Sequence, residues 1–231
     1  MKLVFSQPGD VLIDGSLRLE VVTLGAGEST TWPERHGEAG IYVLEGAVDL
    51  DGTTVPTGGA VVLHADAPCH LTAIEPTRLA HFSDLGTVKV AEQPASRRER
   101  HVLGPGGWYR SGSPGGSQAT WFADSTCEGC DVALFRVERD TPGNRGRGHS
   151  HSVDEILYVV EGAIRLGAHE VPTGAAVFIP ADTRYAITCG ETRHAFLNYR
   201  ASASIQHYEG DTDPLPENGL GRGGELVGDF L

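Results

Sequence analysis

The sequence predicts an all-β protein made of two antiparallel β-barrels in tandem. Three observations carry that expectation. One unit is repeated in the two halves of the chain. Short Val-, Leu- and Ile-rich segments are punctuated by Gly and Pro roughly every 8–12 residues. No stretch longer than about ten residues shows a helical period.

The repeat organises everything else. Tyr42-Val43-Leu44-Glu45-Gly46-Ala47-Val48 recurs as Tyr158-Val159-Val160-Glu161-Gly162-Ala163-Ile164, a displacement of 116 residues (42 to 158). Val55-Pro56-Thr57-Gly58 recurs at the same displacement as Val171-Pro172-Thr173-Gly174, and Ala65-Asp66 as Ala181-Asp182. More than half of the positions in 42–66 are identical in 158–182. In the first copy, strands are expected at Leu17–Leu24, Ile41–Leu44, Ala47–Leu50, Ala60–Leu63 and Leu79–Phe82. In the second copy they are expected at Val132–Glu138 and His194–Asn198 among others. The expected division is a first barrel over 1–92, a linker over 93–116, a second barrel over 117–208 and an extended tail over 209–231. The region around the linker opens with Arg97-Arg98-Glu99-Arg100 and is rich in Gly and Pro. Trp108 and Tyr109 inside it point to partial docking on a barrel.

Composition bounds the function. The chain has 231 residues, enough for two domains with cores of their own. It carries 31 Gly and 13 Pro, and its 21% charged and 39% hydrophobic residues are ordinary for a globular protein. No apolar run nears the roughly 18 residues that span a bilayer, and the N-terminus lacks the apolar stretch of a secretory signal, so a cytoplasmic protein is expected. Eighteen Lys and Arg against 31 Asp and Glu leave a net charge of −13, which disfavours nucleic acid and anionic membranes as partners. The expected partner is a small molecule. Cys69, Cys127, Cys130 and Cys189 are expected as thiols. Cys127 and Cys130 have the spacing of half a zinc site or of a redox pair. No second pair lies nearby and no βαβ context surrounds them, so two thiols in a turn is the simplest reading.

The chemistry concentrates in the second copy. His149, His151 and Glu155 share a parity, so on a strand they aim at one face, with Leu157 and Val159 following as apolar wall. Two imidazoles and a carboxylate are the set that holds Fe(II) with open coordination positions. A divalent ion so held keeps a positive charge, which draws an anionic or enolisable oxygen ligand. Gly143, His149, His151, Glu155 and Gly162 match G-x5-H-x-H-x3-E-x6-G, the first motif of the cupin superfamily, at every fixed position. The second motif, G-x5-P-x-G-x2-H-x3-N, is followed in part by Gly174 and Pro180. Asp182 replaces its Gly, Tyr185 its metal-binding His and Cys189 its Asn. The chain thus resembles a bicupin. That resemblance implies two jelly-roll, double-stranded β-helix barrels and pairing of chains as a homodimer.

Tyr185 can be read as a phenolate ligand, as a hydrogen-bonding or acid/base group, or as pocket wall. A missing fourth ligand could come from His194, whose plainer reading is an exposed strand end. Arg145 and Arg147 could steer an acidic substrate, and Arg136 is a further anion-clamp candidate whose face the sequence leaves open. Leu157 is a candidate substrate contact. In the first copy the same displacement puts Pro33, Arg35, Ala39 and Cys69 at the places of His149, His151, Glu155 and Tyr185. That copy is therefore expected as scaffold or interface, unless a bulge returns His36 and His70 to the interior. The leading functional expectation is an Fe(II) dioxygenase acting on a small anionic or enolisable substrate. The alternatives are a non-redox lyase, isomerase or hydrolase using Mn, Ni or Zn, and a binding protein without turnover.

Overall fold

The structure is a computed structural model; it describes residues 3–32, 37–65, 67–85, 100–113, 117–124, 126, 132–140, 143–210, 215–216 and 223–231. All regular elements among them are strands, and every strand pairing is antiparallel. The Cys127–Cys130 pair, His36 and the charged run 97–99 lie outside the described residues.

Each half folds as a barrel closed by a large and a small sheet. In the first half, Leu17–Leu24, Thr77–Asp84, Ala39–Glu45 and Ala60–Leu63 form the large sheet. Ser29–Trp32, Cys69–Ala73, Ala47–Leu50 and Thr53–Pro56 form the small one. In the second half, Ala133–Arg139, His194–Arg200, Glu155–Glu161 and Ala176–Ile179 repeat the large sheet. The strand pairs His149–His151 with Ile205–Tyr208, and Ala163–Leu166 with His169–Pro172 and Ile187–Cys189, cover it.

The repeated sequence words have structural reasons. Thr57 donates its hydroxyl proton to the Gly46 carbonyl at 2.8 Å, and Thr173 does the same to Gly162 at 2.8 Å. Both glycines hold positive φ, +80° and +67°, and a Cβ on either would collide with the backbone of the adjoining turn. The Glu-Gly and Val-Pro-Thr-Gly words are therefore one turn lock used twice.

The central strands read as nearly unbroken apolar runs because both of their faces are buried. Ile41 and Val43 fill the first barrel; Leu157 and Val159 fill the second. Their neighbours Tyr42, Ile156 and Tyr158 point the other way, into a third core formed where the two large sheets stack back to back. There Phe82 stacks on Tyr199 with ring centroids 5.3 Å apart, and the Tyr199 hydroxyl donates to the Glu38 carbonyl at 2.6 Å.

The halves also exchange edges. Val4–Phe5, at the start of the chain, pairs with Phe178–Val177 of the second barrel. Arg100–Leu103, within the stretch read as linker, pairs with Leu63–Ala60 of the first. Tyr109–Ser113 then adds to the second large sheet, and the tail returns as Glu225–Leu226 to pair with Tyr109 and Arg110. The linker and tail regions thus both supply edge strands.

Candidate functional site

The second barrel holds a cavity of about 350 Å³ between its two sheets. Strand alternation decides what reaches it. On Ala133–Arg139 the inward residues are Phe135, Val137 and Arg139; on His194–Arg200 they are Phe196, Asn198 and Arg200. The small sheet contributes His149, His151, Gln206 and Tyr208, and Tyr185 closes the wall. Tyr185 pairs with His149 through two backbone hydrogen bonds of 2.9 Å, which set their rings 4.5 Å apart. Asp182, at the position where the cupin motif has Gly, holds φ of +59°, and its amide donates to the His151 carbonyl at 2.7 Å. Asp is among the few residues that accept that left-handed conformation. The motif glycine is thus a backbone requirement that this chain meets with another residue.

Of the four motif residues expected at the site, His149, His151 and Tyr185 line the cavity, and Glu155 sits behind the wall. Arg200 stands in front of it. Its Nη2 donates to Glu155 Oε2 at 2.8 Å and its Nε to the same oxygen at 3.2 Å; both side chains are 1% exposed. Nη2 also lies 3.2 Å from His151 Nε2. A guanidinium only donates, so His151 meets it as an acceptor through that nitrogen. Asn198 Nδ2 donates to Glu155 Oε2 at 2.8 Å, and the Tyr185 hydroxyl donates to the same carboxylate. Burial would raise the Glu155 pKa, but the charge of Arg200 and the hydrogen bonds from Tyr185 and Asn198 hold the carboxyl below its usual range. His149 Nδ1 donates to the Arg147 carbonyl at 2.9 Å.

The donor types of His149, His151, Glu155 and Tyr185 suit a divalent ion, but their placement does not. Among the described residues no three His, Cys, Asp or Glu side chains gather closely enough to hold one. His151 Nε2 and Glu155 Oε1 are 3.8 Å apart, and the guanidinium of Arg200 occupies their common side. In this arrangement a competing cation, the Arg200 guanidinium, stands between the two groups expected to share an ion.

Other expectations shift with strand parity. Arg136 faces away from the cavity and pairs with Glu138, next to Arg110 and Glu225. Arg139, of the opposite parity, reaches the cavity in its place, with Nε and Nη1 buried and without a hydrogen-bond partner among the described residues. Arg147 does line the cavity. It lies 4.8 Å over the Tyr208 ring and donates to the Glu209 carbonyl at 3.0 Å. Arg145 bridges to Thr188 outside it. Leu157 is fully buried in the barrel core and does not reach the cavity. His194 is neither a ligand nor exposed. It is completely buried at the far end of its strand, with Nδ1 2.8 Å from Cys189 Sγ. Burial, helped by Arg139, lowers its pKa to about 4. Sequence reasoning missed Arg139, Asn198, Arg200, Gln206 and Tyr208. The alternation of Phe135, Val137 and Arg139 was one available signal; Asn198 and Arg200 lie on a strand whose two faces are equally buried, and Gln206 and Tyr208 lie on the strand Ile205–Tyr208, which was not among the expected elements.

In the first barrel the corresponding interior is plugged. Trp32 pairs with Cys69 as His149 pairs with Tyr185, so Trp32, not Pro33, takes the place of His149. Its indole lies 4.4 Å from His81, which sits beside Ile41 as Asn198 sits beside Leu157. His70 stays exposed and shares a 2.8 Å hydrogen bond with Thr31, so no bulge returns it to the interior.

No family model matches the sequence, and a search of curated proteins found no relative. Solved structures do match. A cupin 2 conserved barrel domain protein from Leptotrichia buccalis aligns with TM-score 0.52 and 12% identity over 86% of this chain and 88% of that one. A variant of Bacillus subtilis oxalate decarboxylase aligns with TM-score 0.59 and 15% identity over 81% and 69%. A salicylate 1,2-dioxygenase variant from Pseudoaminobacter salicylatoxidans, solved with gentisate, aligns with TM-score 0.57 and 12% identity over 85% and 73%. The chain has the cupin fold. At such identities the likeness establishes the fold and nothing finer. Within this fold, the guanidinium of Arg200 stands among the side chains of His151 and Glu155.

Proposed function

We propose that the second barrel of this cupin receives a small organic acid with an apolar or aromatic body and works on it by proton transfer. One observation carries the reading. The cavity is lined by Arg139, Arg147 and Arg200 and, among the described residues, by no Asp or Glu, in a chain of net charge −13. Arg200 is balanced by Glu155, but Arg139 and Arg147 face the cavity with no lining carboxylate among the described residues to offset them, and two such charges in so acidic a chain draw an anion inward. Trp121, Phe135 and Phe196 offer its body flat apolar walls. Oxalate decarboxylase and salicylate dioxygenase, which share the fold, are named for small organic acids.

In this reading Arg139 and Arg147 grip the carboxylate, because planar guanidiniums pair with carboxylates through two hydrogen bonds. His149 and Tyr185 flank the bound acid, and an imidazole and a phenol can each give or take a proton. The first barrel serves as scaffold. The metal-dependent forms of the reading, an Fe(II) dioxygenase or a Mn, Ni or Zn enzyme, rest on the His149, His151, Glu155 spacing and on the company of the fold's relatives, among them an oxalate decarboxylase with Mn(II) centres. The residues as placed do not fit an ion, so the metal-free form is preferred.

The test is calorimetric titration of chelator-treated protein with benzoate, salicylate and phenylacetate, followed by assays of each acid under air and under argon. Saturable binding with any turnover equal under both gases supports the reading. Failure of all three acids to bind overturns it.

A further inference from the structure

We propose that the Arg200 guanidinium is the resident cation of the second barrel, standing where the His-x-His-x3-Glu spacing calls for a divalent ion, so that this cupin takes its ligand without a metal. The inference concerns the cavity of the proposed function but draws on different observations.

The first is competition for the same atoms. Metal–ligand bonds are about 2.0–2.2 Å long. An ion bound by His151 Nε2 and Glu155 would crowd against Arg200 Nη2, which is already 3.2 Å from the one and 2.8 Å from the other. Two cations do not share such a space in a dry interior. Nor is the lone pair of His151 Nε2 idle, since it accepts from the guanidinium.

The second is confinement. Arg200 is 1% exposed, and its guanidinium lies over the Phe135 ring at 5.3 Å. The strand that carries it is paired on both sides, by Ala133–Arg139 and by Glu155–Glu161. Swinging it clear of Glu155 would strand a full charge among aromatic side chains.

The third comes from the repeat. In the first barrel Ala39 holds the place of Glu155, and Ser83, paired with Ala39, holds the place of Arg200. The copy without the carboxylate is also without the guanidinium, as expected if the two form one unit.

The test uses the full chain, stripped with chelator and loaded anaerobically with Co2+ as the probe, with bound metal read by elemental analysis and visible absorption. The wild type is expected to retain less than about a tenth of an ion per chain and to melt at the same temperature with and without Co2+. Arg200→Leu is expected to retain at least about ten times more, with new visible bands that Glu155→Gln added to it removes. If Arg200→Leu does not fold, Arg200→Gln takes its place. A wild type that holds about one Co2+ per chain, lost on changing His149 and His151 to Ala, overturns the proposal. A folded Arg200 variant that stays metal-free overturns the claim that the guanidinium keeps an ion's place. Benzoate binding by the metal-free wild type is scored separately: its failure removes the acid reading and leaves the metal result standing.

Discussion

Arg200 and Glu155 meet through two hydrogen bonds to one carboxylate oxygen, 2.8 Å and 3.2 Å long, with both side chains sealed from solvent. A pair so buried contributes little net stability when intact, but losing one partner leaves the other charged and unsolvated. Glu155→Gln is therefore expected to destabilise the protein by about 3–5 kcal/mol. Urea unfolding measures this; a loss below about 1 kcal/mol would mean that the pair is hydrated.

The same carboxyl sets an acid limb. Its folded pKa is held below its unfolded value, so as pH falls the unfolded chain takes the proton first. The stability it contributes is complete above the unfolded value of about 4.3 and drains away as pH falls through the folded value. Urea midpoints measured from about pH 5 downward should fall more steeply in the wild type than in Glu155→Gln.

His194 produces a separate slope at higher pH. Buried against Cys189, it resists protonation until about pH 4, whereas an unfolded histidine protonates near 6.5. Stability is complete above about pH 6.5 and falls as pH drops toward 4, by roughly 3 kcal/mol over that window at about 1.4 kcal/mol per pH unit. His194→Asn is expected to flatten the stability profile in that window, and an unchanged profile would show that the folded ring titrates normally.

The acid-binding reading separates two arginines three residues apart. Charge-assisted hydrogen bonds are worth about 1.5–3 kcal/mol, so Arg139→Gln should weaken benzoate binding by about tenfold or more. Arg136→Gln, on the opposite strand face and paired with Glu138, should leave it within about twofold. Calorimetry on the two variants decides; equal losses would place the acid elsewhere.

The stacked pair Phe82 and Tyr199 predicts joint unfolding. Phe82→Ala opens the core that the two barrels share and should cost about 3–5 kcal/mol. Trp32 reports from the first barrel and Trp121 from the second. Single-tryptophan chains should give coincident urea transitions before and after the change, and a split would show barrels that unfold independently.

The barrels themselves were legible in the chain because their signals are local. The Glu-Gly turn at 45–46 and 161–162, the Val-Pro-Thr-Gly word and the alternation along Ala47–Leu50 each act within a few residues. Leu17–Leu24, Ala47–Leu50 and Ala60–Leu63 begin and end where they are expected. His149, His151 and Tyr185 share a wall because residues two apart on a strand face one way and because Tyr185 pairs with His149. The exchanged edges were not legible. Val4–Phe5 is a two-residue strand whose partner lies some 170 residues away, and no local pattern names that partner.

By itself the sequence determined a duplicated β protein with an imidazole pair on one face of a strand, because strand parity and turn chemistry are properties of neighbouring residues. Only the tertiary structure decided which cation Glu155 faces. His194–Arg200 is buried on both faces, so nothing in its order of residues tells inward from outward. The choice falls to register: the pairing that sets Asn198 opposite Leu157 brings Arg200 level with Glu155, and a buried carboxylate then takes the nearest positive charge.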